Sequence, residues 1–68
     1  MFKKNEFKAE LARREIKLDM IANVLQIDVT SLYRKMNGVS DFYRNEIEAL
    51  AKFLNLSAAD IMRIFFAS

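Results

Sequence analysis

The side chains best suited to directed polar contacts with a ligand are concentrated in one short stretch, residues 29–35 of the 68-residue chain. This stretch contains two hydroxyl-bearing residues, a tyrosine, an arginine and a lysine. The guanidinium of Arg34 presents two N–H donors in one plane and can bind a matching pair of acceptors. These residue types support recognition by hydrogen bonds and surface contact.

Residue types that support catalysis are scarce. The chain has no cysteine and no histidine, and therefore no thiolate or imidazole nucleophile and none of the usual zinc ligands. Its nine Asp and Glu residues are scattered among 11 Lys and Arg residues, and we expect all nine on solvent-exposed faces. We predict that the protein is not an enzyme and uses no metal, cofactor or small-molecule substrate.

Length and composition limit the size of the fold. With 68 residues and 53% hydrophobic content, the chain suits one domain, residues 1–68, with a small core. Such a core usually needs a disulfide, a metal or a partner chain, and only the partner remains here. The net charge is +2, but residues 1–17 carry six Lys and Arg against three Glu, whereas residues 18–68 carry five against six acidic residues.

Nothing in the sequence predicts association with a membrane. The longest apolar stretches have four residues, far fewer than the roughly 20 that span a bilayer. No basic segment followed by an apolar one opens the chain. We expect a cytoplasmic protein.

Residues 29–35 and the segments that position them are predicted to be helical. Apolar residues recur at helical spacing, and the chain has no proline and a single glycine. These patterns predict an all-α, compact five-helix domain. The predicted helices span about 5–15, 18–25, 29–36 and 44–55, with a fifth that starts after residue 57.

Local signals place the helix ends. Asn5 is the expected N-cap of the first helix and Asp28 that of the third. The third helix should end where Gly38 can adopt left-handed backbone. Ser57 and Asp60 form a capping-box pattern before the fifth helix.

The apolar stripes of these helices predict the core. The expected core residues are Phe7, Leu11 and Ala12; Ile21, Ala22, Val24 and Leu25; Ile27, Leu32 and Met36; Ile47, Leu50, Ala51 and Leu54; and Ile61, Ile64 and Phe65.

The second and third helices, separated by three residues, match a helix-turn-helix. The segment from Ile21 to Gly38, IANVLQIDVTSLYRKMNG, resembles the Cro/repressor (XRE-like) family of phage regulators. In that pattern a small residue, here Ala22, lies where the two helices cross, and Leu32 locks the third helix onto the second. The resemblance extends over nearly the whole chain and implies a lambda-repressor-like fold.

Three positions depart from the family pattern. The family usually has glycine where this chain has Gln26, and left-handed backbone at a non-glycine costs roughly 1–2 kcal/mol, so we expect a slightly altered turn. Leu18 replaces a glutamine that contacts phosphate in the family. Tyr43 replaces the usual Ser or Thr cap of the fourth helix, so Glu46 should lack a capping partner.

The resemblance implies a protein that binds double-stranded DNA with its third helix in the major groove. The implied base-reading residues are Val29, Thr30, Ser31, Tyr33 and Arg34. The implied phosphate contacts are Lys17, Lys35 and Arg44.

Most of these residues have alternative interpretations. Val29 and Thr30 could be ordinary surface at the start of a helix, and Lys17, Lys35 and Arg44 could be solubilising surface charges. Arg34 could instead pair with Asp41 or Glu46 on the protein surface. Tyr33 could lean on the fourth helix.

The end of the fifth helix has more apolar residues than one stripe can bury. The resemblance implies a homodimer on DNA, and we expect Met62 and Phe66 to form the dimer contact. In the alternative, Phe66 folds back onto the first helix near Phe2 or Phe7.

The leading hypothesis is therefore a sequence-specific transcriptional regulator, a repressor of phage type acting in a bacterial cell or a phage-infected or lysogenic host. The second hypothesis is a helix-turn-helix module for protein interaction, such as an antirepressor. The small net charge keeps this second hypothesis open, since dedicated DNA-binding domains are often more basic.

Overall fold

The helical periodicity of the sequence is realised in five α-helices. The computed structural model describes residues 1–67, and this part of the chain contains no strand, which confirms the all-α prediction. None of its helices is long and apolar enough to cross a membrane. The helices are α1 (Lys4–Arg13), α2 (Leu18–Leu25), α3 (Val29–Met36), α4 (Arg44–Leu54) and α5 (Ala58–Phe65).

The bounds of α2 and α3 agree with the sequence prediction, whereas α1 differs at both ends. The N-cap of α1 is Lys3, which makes no side-chain capping bond, so the prediction of Asn5 as N-cap was wrong. The Lys3 N–H instead donates to the Ile64 carbonyl at 2.7 Å, which ties the start of α1 to α5. The helix ends at Arg13 because Glu15 has left-handed backbone, with φ +56°.

Four of the helices end in the same hydrogen-bonding motif. A residue with positive φ follows each helix, namely Glu15, Gln26, Gly38 or Asn55. The next N–H then bonds back to a carbonyl five residues earlier, as from Ile27 to Ala22 at 3.0 Å. This Schellman arrangement satisfies carbonyls that the end of a helix leaves unpaired.

The left-handed residue also directs an apolar neighbour into the core. Ile16, Ile27 and Leu56 each follow one of these residues, and all three pack against the buried cluster. Gln26 adopts φ +57° and ψ +42°, so the turn after α2 keeps left-handed geometry without glycine.

One core joins the five helices. Helix α2 packs against α3 and α4, and α5 packs against α1 and α4. Most of the predicted core residues are buried or half-buried, but Ala12 is exposed. The buried group is Phe7, Leu11, Ile21, Ala22, Leu32, Met36, Leu50, Leu54, Ile64 and Phe65.

Four phenylalanines form one side of this core. Phe2, Phe7, Phe42 and Phe65 come from the N-terminal segment, α1, the loop before α4 and α5, with ring centroids 4.8–6.4 Å apart. Offset and edge-to-face contacts of this kind stabilise a core beyond the area that they bury. Phe65 therefore lies beside Phe2 and Phe7, where the alternative prediction places its neighbour Phe66.

An arginine network links α1 to α5. Glu10 is 3% exposed and accepts hydrogen bonds from Arg14 at 2.9 Å and from Arg63 at 2.8 Å, as well as from Arg13. Arg63 also pairs with Glu6 on α1. Glu10 and the likewise buried Glu46 contradict the expectation that every acidic side chain lies on a solvent-exposed face.

The balance of burial and pairing sets the charge state of Glu10. Burial alone would raise the pKa of this carboxyl, but hydrogen bonds from Arg14 and Arg63 and the charge of Arg13 outweigh that effect. The pKa of Glu10 therefore lies below its ordinary value. The carboxylate is ionised at neutral pH, so the link between α1 and α5 carries full charge there.

The turn after α2 yields a stability prediction. Gln26→Gly should raise the free energy of unfolding by about 0.5–1 kcal/mol, because relief of left-handed strain exceeds the extra entropy of glycine in the unfolded chain. Thermal melting followed by circular dichroism should show a rise of several degrees. Gln26→Ala should give no rise, and Asn55→Gly a smaller one because asparagine tolerates this backbone better. A Gln26→Gly protein that melts below wild type would contradict the strain argument.

The Glu10 network predicts an acid-sensitive step in stability. A carboxyl whose pKa is lowered by folding stabilises the protein above its unfolded pKa, and this stabilisation is lost as pH falls through the folded value. The difference in melting temperature between wild type and Glu10→Gln should therefore be largest at neutral pH and shrink below about pH 4.5. Exposed Glu48→Gln is the control, with a small difference expected throughout. An equal difference at every pH for Glu10→Gln would exclude the charged link.

Candidate nucleic-acid interface

One face of helix α3 packs against the core, and the first turn of the helix is capped. Leu32 is fully buried and Met36 is 3% exposed, so one face of α3 is fixed in the core. The Asp28 carboxylate accepts the Ser31 N–H at 2.7 Å, which confirms the predicted N-cap. The three-residue connection between α2 and α3 is therefore hydrogen-bonded at both ends, and it gives the opposite face of α3 a defined direction.

The opposite face of α3 carries the residues predicted to read bases. Val29, Thr30, Tyr33 and Arg34 are exposed, and Ser31 is half-buried. Spacings of three and four residues place Val29, Thr30, Tyr33 and Arg34 on one surface of the first two turns. Tyr33 retains 43% of its accessible surface, so any contact with α4 leaves much of its ring free.

Arg34 is available for a ligand. Among residues 1–67 its guanidinium forms no salt bridge and no side-chain hydrogen bond. Neither alternative partner, Asp41 or Glu46, forms a salt bridge with it, and Glu46 pairs with Lys35 instead. The five donors of the guanidinium therefore face solvent.

Lys35 lies in a different environment from the one expected for a phosphate contact. Its side chain is 8% exposed, and Nζ lies 3.0 Å from a Glu46 carboxylate oxygen. Nζ also donates to the Asp41 carbonyl at 2.9 Å and lies 4.2 Å from the centre of the Tyr43 ring. The ammonium is thus enclosed by protein groups, which removes Lys35 from the set of surface cations around α3.

Glu46, which pairs with Lys35, also caps the N-terminus of α4. Glu46 accepts the Tyr43 N–H at 2.8 Å, so it caps the helix even though tyrosine replaces the usual Ser or Thr.

The burial of Lys35 could have been recognised from its spacing, because it lies three residues after Leu32 and next to Met36, on the inward stripe. Lysine is rarely buried, so the residue type by itself predicts an exposed side chain.

The other two predicted phosphate contacts lie on the surface. Lys17 is exposed at the N-cap of α2. Arg44 is exposed at the start of α4, with its Nε 3.3 Å from Glu48. An ion pair this exposed contributes little to stability, so Arg44 remains able to exchange its partner.

The cap of α3 limits how an anion could approach. Hydrogen bonding by Ser31 holds the pKa of Asp28 below its ordinary value, so the carboxylate stays ionised and already occupies the Ser31 N–H. This negative charge suits the positive end of the helix dipole. A phosphate would therefore need the surface cations rather than the α3 N-terminus. Within residues 1–67, no group of acidic side chains is arranged to hold a metal ion.

Comparison with protein families gives a match that covers most of the chain. The family model of the BetR domain matches residues 7–65, which begin in α1 and end at the last residue of α5. The chain belongs to the BetR domain family. No match was found among curated proteins or among solved structures.

Membership of the BetR family describes the chain as a small helical domain of regulator type. The match includes α2, α3 and the turn between them. It does not single out the Cro/repressor family that the sequence resembles, nor a phage origin.

The buried pair between α3 and α4 of this BetR domain predicts a large effect on stability. Lys35→Met should lower the free energy of unfolding by about 3 kcal/mol, because it leaves the Glu46 carboxylate buried without a counter-charge. Adding Glu46→Gln should restore part of that loss, since the amide still accepts the Tyr43 N–H without a charge. Urea denaturation gives both values. Exposed Lys52→Met is the matched control, and an equal loss for Lys35→Met and Lys52→Met would show that the pair does not stabilise the fold.

Proposed function

We propose that this BetR domain is a sequence-specific, double-stranded DNA-binding transcriptional regulator that inserts α3 into the major groove. The observation that carries the proposal is the exposed face of α3, where an unpaired Arg34 lies beside Tyr33 and Thr30. The major groove is wide enough for an α-helix and displays a distinct pattern of donors and acceptors for each base pair.

The geometry of α2 and α3 supports this mode of binding. In a helix-turn-helix, N-terminal residues of the second helix reach base edges while the first helix crosses the backbone. Here α3 has eight residues, a length of about 12 Å, and its exposed side chains begin at its first residue. Burial of Leu32 against the core leaves the whole opposite face free to enter a groove.

Each exposed side chain has a chemically suitable base contact. Arg34 can donate two hydrogen bonds to guanine O6 and N7, and Val29 and Thr30 can contact thymine methyl groups. Ser31 and Tyr33 offer hydroxyl groups to base edges, sugars or phosphates. Arg34 is the residue on which we expect discrimination between sequences to depend most.

The phosphate contacts that we propose are exposed cations on either side of the α2–α3 segment. Lys17 lies directly before α2, where a helix that crosses the backbone would meet phosphate. Arg44 lies at the start of α4, but its neighbour Glu48 reduces the local positive charge. Lys35 has no part in this set, since its ammonium is already bound.

A second candidate function is recognition of another protein through the same face. Val29 and Tyr33 supply apolar surface, and the net charge of +2 is modest for a DNA-binding domain. An antirepressor-like module would use this surface to bind another regulator. It would then show no affinity for duplex DNA even at low salt.

The test begins with selection of a preferred duplex from random sequences, followed by titrations of that duplex and of random DNA at two salt concentrations. Arg34→Ala should weaken binding to the preferred site by about 1–3 kcal/mol and change random binding little. Lys17→Ala should weaken both alike and reduce the salt slope by about one. Lys52→Ala, at the end of α4 remote from Arg44, is the control cation.

The outcomes separate the candidate functions. Equal losses on both DNAs for Arg34→Ala would reduce this residue to a phosphate contact. Absence of binding to any duplex at low salt, by protein that remains helical, would refute the DNA-binding proposal and favour the protein-interaction module.

A further inference from the structure

The side chain of Lys35 joins the end of α3 to the start of α4, and this residue directly follows Arg34 in the chain. Its Nζ lies 3.0 Å from a Glu46 carboxylate oxygen on α4 and donates to the Asp41 carbonyl in the connecting segment at 2.9 Å. Only 8% of the Lys35 side chain and 9% of the Glu46 side chain are exposed. A directional contact that is shielded from water therefore links the two helices beside Arg34.

The backbone of Arg34 is held by the same connecting segment. The Arg34 carbonyl accepts the Val39 N–H at 2.9 Å and the Ser40 N–H at 3.3 Å. At the other end of the segment, Glu46 accepts the Tyr43 N–H at 2.8 Å. The segment is therefore hydrogen-bonded both to the last turn of α3 and to the first turn of α4.

The orientation of α3 depends on contacts of two kinds. Leu32 and Met36 bury one face of the helix, and the hydrophobic effect that favours their burial is non-directional. A hydrogen bond, in contrast, weakens steeply as its donor moves out of line. Recognition groups must be held within about 0.5 Å and 10–20° of their productive geometry. The directional contact at Lys35 supplies a restraint of this kind next to Arg34.

We propose that the Lys35–Glu46 pair is a positioning pair for DNA recognition, which fixes the direction of Arg34 towards base edges relative to Arg44 on the DNA backbone. This inference rests on the proposed function of α3. Lys35 itself contacts no DNA, because protein groups enclose its ammonium. The pair therefore controls how well the domain separates its preferred sequence from others, and it has little effect on binding to random DNA.

The test uses a double variant that removes the pair without changing the net charge. Lys35→Met with Glu46→Gln leaves no unpaired charge in the interior, which should keep the variant folded. Since its net charge equals that of wild type, its salt slope should be unchanged and its affinity for random DNA should stay within about twofold. Its preference for the selected duplex over random DNA should fall about tenfold, as expected when a bidentate base contact is weakened.

Two single variants separate positioning from stability. Glu46→Gln keeps an oxygen acceptor for Lys35 and for the Tyr43 N–H but removes the counter-charge, so it should be less stable and yet keep the wild-type preference within about twofold. Ile64→Val removes a methyl group from a fully buried site on α5 and should also lower stability without changing the preference. All titrations use a temperature at which circular dichroism shows each variant fully helical.

The outcomes distinguish the positioning role from the proposed function. A double variant that keeps the wild-type preference, while Arg34→Ala loses it, overturns the positioning pair and leaves DNA recognition by α3 in place. An equal loss of preference for Ile64→Val would show that preference follows stability, and this also overturns the positioning pair. A wild-type protein that prefers no duplex refutes the proposed function itself and the positioning role with it.

Discussion

At the end of α2 a single residue in left-handed backbone, Gln26, turns the chain so that the Ile27 N–H returns to the Ala22 carbonyl. This turn sets the direction of α3, and therefore the direction of every side chain on its exposed face. The strained backbone at Gln26 persists because Ile27 packs against the core and the bond to Ala22 satisfies a helix-terminal carbonyl. The chain has one glycine, and the same helix-ending motif forms at three other residues, Glu15, Gln26 and Asn55.

Buried ion pairs join helices that the short core alone would hold less firmly. Glu10 connects α1 with α5 through Arg63, and Lys35 connects α3 with α4 through Glu46. Charges of this kind cost desolvation, so their net contribution to stability is small when both partners are present and their loss is severe when one is removed. Each pair also specifies which helix surfaces meet. The chain has no cysteine for a disulfide, and its described part has no group of His, Cys, Asp and Glu residues that could hold a metal ion.

The surface divides into two regions with different chemistry. The exposed face of α3 combines donors with small apolar groups, as recognition of base edges requires. Between α4 and α5 lies a groove lined by Phe42, Ile47, Ala51, Ile61 and Phe66, with Arg44 and Glu48 beside them.

The local features of this protein followed from its sequence. The bounds of α2 and α3, the caps at Asp28 and Ser57 and the exposed face of α3 depend on hydrogen bonds and periodicity within a few residues, so neighbouring residue types determine them. The pairing of Glu10 with Arg63 and of Lys35 with Glu46 depended on tertiary structure, because each partner comes from another helix, 53 positions away for Glu10. Tertiary packing also decided that Phe65 joins the aromatic cluster and Phe66 does not. A pattern of residue types shows which side chains share a helix face, but only the packed helices show whether a charge on that face meets a partner or water.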